Sequence, residues 1–377
     1  MNTETKEPGT GIIEYAVDYG TLDPVKQIFQ KLGAETSVPT IPGLEINELA
    51  GCRGESVHIV RVGDMHIGSL IEGLGTRGLV ADEIYRITGV SHYQAIAWSA
   101  AMTIFNDLAQ SGIPPVTCFM YLSAGSNKVF ADTKKMLDLG LGWKKACIAE
   151  HTVWGGGETP MLRDLVFPGA FEIAGSTWGI MPYPKCPIDS RNIRVGDRII
   201  GIASSGVHDN GLTLVRDIRS VKLTELGYQA LLSDGQTFGQ ALMEPTVIYG
   251  PLVRLLLHNG TEIHSALNIT GHGLAKIARA VAPFHYEVEN LPEPQPVFRF
   301  IQEHSGLSDP VMYNKFNMGT GFVLIVPEDE GLDVIGAATM LGHRAWLAGS
   351  VKASPDGKKR VLLPNGMTFT EKDVAVR

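Results

Sequence analysis

Asn106–Pro115 reads NDLAQSGIPP and closes a long apolar run, HYQAIAWSAAMTIF. It places a carboxylate, Asp107, near the end of what reads as a buried helix. Gly112, Pro114 and Pro115 follow and stop that helix. The last turn of a helix carries partial negative charge, so an acid there loses roughly 0.3–1 kcal/mol. A compensating positive charge is expected, and a bound divalent cation would supply it. Upstream, apolar residues recur at Ile96, Ala100, Ile104 and Leu108, which predicts a helix over about 91–111 with Ser91 as its cap.

The remaining chain bounds the problem. Its 377 residues suggest two domains, and 44% apolar with 19% charged residues is an ordinary globular balance. The net charge of −8 is spread along the chain, which disfavours a nucleic-acid partner. Cys52, Cys118, Cys147 and Cys186 are far apart, with no C-x-x-C pair, so neither a zinc site nor a disulfide frame is indicated. The N-terminus, MNTETKEPGTG, is polar, and no apolar run approaches a membrane span. The expectation is a soluble cytoplasmic protein with no membrane partner. MPYPKCPIDSRNIRVGDR carries three prolines and marks the best boundary, giving an N-terminal domain 1–185 and a C-terminal domain 186–377.

A coarse reading places a short helix after Asp23 as N-cap with Pro24 at its first position. Residues 37–56 read as loop, with two strands around Gly63-Asp64. VTCFMYLSAG reads as a buried strand and 129–150 as a helix. In the second half, RIIGIASS and TGFVLIVPED read as strands. KASPDGKKRVLLPNG reads as a hairpin turning at Asp356-Gly357. Strands and helices mix in both halves, an α+β pattern.

Four glycine loops follow expected strands: EGLGTRG (72–78), GGGETP (155–160), SSGVHDNG (204–211) and ITGHG (269–273). Two of them run into helices, whose N-termini favour anions. Singly each reads as an ordinary turn; together, with polar side chains in each, they point to phosphate. Acids accompany them. Glu72, Asp107 and Glu158 are suited to a hard cation such as Mg²⁺, which binds through a few carboxylates plus substrate phosphates. His208 and Asn210 flank Asp209, where a phosphate contact and a self-stabilised turn are equally good readings. His272 is similar. There is no G-x-S-x-G elbow and no activated cysteine, so covalent acyl chemistry is not indicated.

These segments resemble the aminoimidazole ribonucleotide synthetase superfamily. NDLAQSGIPP resembles its D-x4-G-A-x-P signature, with Ile113 in place of Ala, and GGGET resembles its metal-binding G-G-E-T. GDRIIGIASSGVHDNGLTLVR, LMEPTVIYGPLVRLL, NITGHGLAKIARAVAP and MYNKFNMGTGFVLIVP resemble, in order, motifs of the phosphoribosylformylglycinamidine cyclo-ligase branch. The resemblance implies a two-domain α+β fold with a C-terminal α/β sandwich, and a homodimer in which N-terminal strands of two subunits form a barrel. It also implies ATP with Mg²⁺ near the dimer interface and a small ribonucleotide substrate. Carried over by position, Asp107, Glu158 and Glu72 would hold metal, with Asp107, Glu158 and His208 as the catalytic set. ATP would meet Glu72, Gly75, Thr76, Arg77, Asn106 and Asn210. Substrate would meet Ser205, Gly271, His272, Gly273, Asn317 and Gly319. The chain departs from the family at Glu72 (Asp), Arg77 (Lys), Asn268 (His) and His272 (Gly). The implied reaction is ATP-dependent ring closure in purine biosynthesis. A small-molecule kinase of the thiamine-monophosphate type and a non-catalytic nucleotide sensor are the alternatives.

Overall fold

A computed structural model describes residues 19–222 and 226–374. Two sheets organise it. The first is built from β1 (Ile46–Glu48), β2 (His58–Val62), β3 (Met65–Gly73), β4 (Pro115–Ala124), β5 (Val153–Glu158) and β6 (Phe171–Pro182), in the order β1-β2-β3-β6-β4-β5. Every neighbour pair is antiparallel except β4 with β5. The long helix, Tyr93–Ala109, packs with helix Thr133–Ala149 on one face of this sheet. Trp143, Ile104 and Phe105 are fully buried there. Gly175 permits this closeness, because a Cβ would meet the Trp143 ring at 2.6 Å. The opposite face is open: Ile71 is 75% exposed, and Phe119 and Trp178 stand beside it.

The second sheet comprises β7 (Arg198–Ala203), β8 (Ser265–Asn268), β9 (His285–Val288), β10 (Thr320–Val326), β11 (Ala345–Lys352), β12 (Arg360–Leu362) and β13 (Thr368–Phe369). Its order is β13-β12-β9-β11-β7-β10-β8. β7 and β10, at 198–203 and 320–326, are nearly continuous apolar runs and lie inside the sheet, as strands covered on both faces do. Between the two sheets run residues 183–197.

Several local expectations are corrected. The first helix spans Tyr19–Ala34, so Pro24 lies inside it and Asp23 is not its cap. The loop 37–56 contains β1. A helix the sequence reading passed over, Arg77–Thr88, follows the first glycine loop, with Val80, Ala81 and Ile84 inward and Gly89 (φ 71°) closing it. The long helix starts at Tyr93, and the Ser91 hydroxyl donates to Asp138 Oδ2 at 2.6 Å instead of capping. The C-terminal hairpin does not form. Asp356 does bind Arg360 across a turn (2.9 Å), but β9 inserts between β11 and β12 and pairs with both. That partner comes from some sixty residues upstream, a pairing no local turn signal can report.

Candidate active site

Glu72 and Asp107 meet where β3 ends beside the C-terminus of the long helix. Direct partners share a sheet face, so Glu72, opposite Gly175, lies on the helix-covered side. Burial, and then the Asp107 charge, push the Glu72 carboxyl up to about 7. The Glu72 side chain is nonetheless exposed in the single chain, so its carboxyl is crowded but open to solvent. Asp107 itself is buried. Its Oδ1 accepts from Gln110 Nε2 (2.9 Å) and Asn268 Nδ2 (2.8 Å), while Oδ2 has no hydrogen bond among the described residues.

Besides the divalent cation expected there, a positive residue that the sequence reading missed lies near Asp107. Lys276 is buried, and both Asp107 and Glu72 act on it electrostatically. Burial lowers its ammonium to about 8, against the pull of those acids. Nζ donates to Asn268 O (2.8 Å) and to the Thr270 hydroxyl. A lysine in the apolar run GLAKIARAV was the available signal. Asn268, which stands where the family has His, therefore links two charged groups: its amide holds Asp107 and its carbonyl holds Lys276.

Three glycine loops converge on this recess. Loop 72–78 is tied to loop 204–211 through Arg77 and Asp209 (2.6 Å), and to the helix that follows it by the Thr76 and Thr213 hydroxyls (3.4 Å). Gly75 N–H donates to Glu172 Oε1 (3.3 Å). Loop 269–273 arrives with Asn268. The segment 317–319 is stapled to loop 204–211: Asn317 Oδ1 accepts from the Ser204 hydroxyl (2.8 Å), and its Nδ2 donates to Gly206 O (2.9 Å). Gly273 (φ 49°) must be glycine, since a Cβ would sit 2.1 Å from Tyr313 O. His272 and Gly319 lie in the same loops in left-handed backbone (φ 72° and 94°), with Gly271 beside them. Ser205 donates its hydroxyl to Pro245 O (2.6 Å), and Asn210 is half-buried.

Four of the expected ligand contacts are already engaged inside the chain. Arg77 is fully buried. It donates to Asp209, to Thr246 Oγ1 (3.4 Å), to Leu242 O (3.0 and 3.2 Å) and to Glu244 O (2.6 Å). Its guanidinium ties three segments together and has no donor left for phosphate. Asn106 donates to Val247 O (2.8 Å) and accepts from Tyr249 N (2.9 Å). His208 is buried beside Tyr249. Its Nε2 accepts from Ser205 N–H (3.2 Å), and burial lowers the ring to about 4, so it is a neutral acceptor that shapes its loop. Asn317 is the staple just described.

Glu158 is not with the other acids in one chain. GGGE forms the exposed edge strand β5. Glu158 pairs with Tyr121, which pairs with Ala174, which pairs with Gly73. That row puts three strand spacings, about 14 Å, between Glu158 and Gly73, and turns Glu158 to the open sheet face.

Glu72 and the free oxygen of Asp107 fit a hard divalent cation. They are oxygen donors, they repel one another, and two such carboxylates suit Mg²⁺. A different trio, Glu48, Cys52 and His58, has ligand atoms within 4.8 Å of one another. It does not fit: Arg53 clamps the Glu48 carboxylate, burial raises the Cys52 thiol, and that thiol donates to Ile59 O (3.5 Å). No helix among the described residues is long and apolar enough to cross a membrane.

Residues 194–361 match the family model described as the C-terminal domain of AIR synthase related protein. A phosphoribosylformylglycinamidine cyclo-ligase of Methanosarcina mazei is 33% identical over 74% of this chain and 78% of its own length. Another, of Carboxydothermus hydrogenoformans, is 30% identical over 85% of this chain and 91% of its own. In fold, the chain resembles a solved hydrogenase maturation protein HypE in complex with ATP, with TM-score 0.55 and 18% identity over 89% of this chain and 88% of that one. With the motifs in sequence order and the recess they build, the chain belongs to the phosphoribosylformylglycinamidine cyclo-ligase family.

Proposed function

We propose that the chain closes the imidazole ring of 5-aminoimidazole ribonucleotide, consuming formylglycinamidine ribonucleotide and ATP and releasing ADP and phosphate. The observation that carries this reading is the convergence of the acid pair Glu72–Asp107 with loops 72–78, 204–211, 269–273 and 317–319 in one recess.

The chemistry needs no protein nucleophile. The formyl oxygen takes the γ-phosphoryl group, breaking the bond to ADP. The substrate's own amidine nitrogen then attacks the activated carbon, and the carbon–oxygen bond to phosphate breaks as the nitrogen loses a proton. Positioning and charge placement are what the protein supplies. Glu72 and Asp107 would hold Mg²⁺, which when bound neutralises phosphate charge. Asn268 and Gln110 fix the Asp107 carboxylate through one oxygen, leaving the other for the recess. Lys276 adds a buried cation on the opposite side of Asn268. Loop 204–211, pinned by Arg77–Asp209 and Asn317, presents its backbone to phosphate without needing to reorganise.

The working molecule in this reading is a cytoplasmic homodimer. Ile71, Phe119 and Trp178 leave the first sheet with an apolar open face, which a second copy would cover, and Glu158 stands on that face. We place Glu158 in the site of the partner copy. Mixing Asp107→Asn and Glu158→Gln chains then restores about a quarter of wild-type activity. Half the dimers are mixed, and each mixed dimer has one intact site. No recovery above the separate variants would count against a shared site.

Product analysis tests the reaction. Formylglycinamidine ribonucleotide, ATP and Mg²⁺ should give aminoimidazole ribonucleotide, read by diazo coupling, with one ADP per ring. A phosphorylated, unclosed substrate would point to the kinase alternative, and ATP binding without turnover to the sensor.

A further inference from the structure

A cavity of about 150 Å³, lined in part by Gln110, lies between loop 49–57, residues 188–191 and the segment 265–281. A space of that volume receives a ligand the size of benzene. Its wall is apolar at Val57, Ile188 and Leu267. Its polar groups are not matched. Arg279 lines the cavity, and its Nε is fully buried without a hydrogen-bond partner among the described residues. A buried N–H without a partner costs about 1–3 kcal/mol, so an acceptor is missing there.

A second donor comes from the sheet edge. Among the described residues, β8 is the last strand of its sheet and pairs only with β10. Ile269 N–H donates to Gly321 O across that ladder (2.9 Å). Antiparallel pairing alternates, so Leu267 and Ser265 also face β10, and Ala266 turns its N–H and C=O the other way, to the cavity it lines. Of the other charged residues in the lining, Asp189 is taken by the Arg191 guanidinium, which also donates to Ala50 O (3.2 Å), and Glu55 is an exposed carboxylate whose charge acts on Lys276. Among the described residues, the lining therefore offers the Arg279 Nε–H and the outward-facing Ala266 N–H to an acceptor, above an apolar wall.

We propose that this cavity binds a small oxyanion on a ring-sized body, with Arg279 and the Ala266 N–H as anchors. Gln110 lines the cavity and holds Asp107 Oδ1 at 2.9 Å, so the occupant is one side chain from the reaction recess. The oxyanion has two sources: the 5-phosphate end of the reaction's own ribonucleotide, or a separate small metabolite. The first source rests on the ring-closing reading; the site itself does not.

Calorimetric titration of the full chain with ribose 5-phosphate tests the site without any turnover. Saturable binding is expected, weakened at least tenfold in Arg279→Gln and in Val281→Trp, which plugs the exposed rim, and retained in Asp107→Asn. Melting temperatures of the two cavity variants close to wild type exclude unfolding as the cause. Inhibition of ring closure competitive with the ribonucleotide assigns the site to the substrate's phosphate end, and non-competitive inhibition assigns it to a separate metabolite; both support the site. Absence of saturable binding, equal affinity in both cavity variants, or loss in Asp107→Asn with retention in Arg279→Gln would each overturn it.

Discussion

Two charged clusters lie side by side in this chain and have opposite characters. At Arg77 the donors go to Asp209, Thr246 and the carbonyls of Leu242 and Glu244, and nothing is left over. At Asp107 only one carboxylate oxygen is bound among the described residues, Glu72 repels it, and Lys276 offers its charge from behind Asn268. Each cluster includes a charge from loop 72–78, Arg77 in one and Glu72 in the other. The difference teaches a rule for such recesses: a buried charge whose partners are all within the chain holds the fold, while charges left under-compensated are available for a ligand.

The comparison is broken most readily at Asp107. Asp107→Asn should keep its shape and its bonds to neighbours while losing the charge. Turnover is expected to fall by about 10³-fold, with melting within a few degrees of wild type. Steady-state rates beside a melting curve check this; near-normal turnover would place Asp107 with the structural charges.

The converse variant is Arg77→Met. It leaves Asp209 with its pair removed, so unfolding free energy should drop by about 3–5 kcal/mol. The folded fraction should bind an ATP analogue with unchanged affinity. Denaturant titration and calorimetry separate the two readouts. A large affinity loss at unchanged stability would return Arg77 to the phosphate site.

A smaller effect sharpens the contrast. Glu72 holds its proton more tightly folded, at about 7, than its ordinary 4.5. The stability this gives is full below 4.5 and is lost as pH rises through 7. In metal-free protein, Glu72→Gln should therefore melt higher than wild type at pH 8, by about 2 °C given the solvent contact, and no higher at pH 5. Equal shifts at both pH values would show that the carboxyl is not strained.

The sequence made the recess's parts visible and hid how they divide between fold and chemistry. Strands such as 198–203 and 320–326 are legible as apolar runs, and the loops beside them as glycine clusters. Asp107 is legible as an anomaly because its helix end is electrostatically wrong for it. Arg77 is misread because its partner lies 132 positions away. Lys276 is missed because a lone lysine in an apolar segment has no period or motif. Glu158 is read as a ligand of the same site, but its strand is paired at the sheet edge, three strand spacings from Gly73, and no local pattern in GGGET reports that distance. β9 is unread because its four residues pair with strands far away in sequence.

The most direct measurement is calorimetric binding of a non-hydrolysable ATP analogue with and without Mg²⁺, in wild type and in Asp107→Asn. The wild type should gain at least tenfold in affinity from Mg²⁺, and the variant should lose most of that gain while keeping its metal-free affinity. An identical Mg²⁺ increment in both proteins would contradict the assignment of the acid pair to the nucleotide's cation.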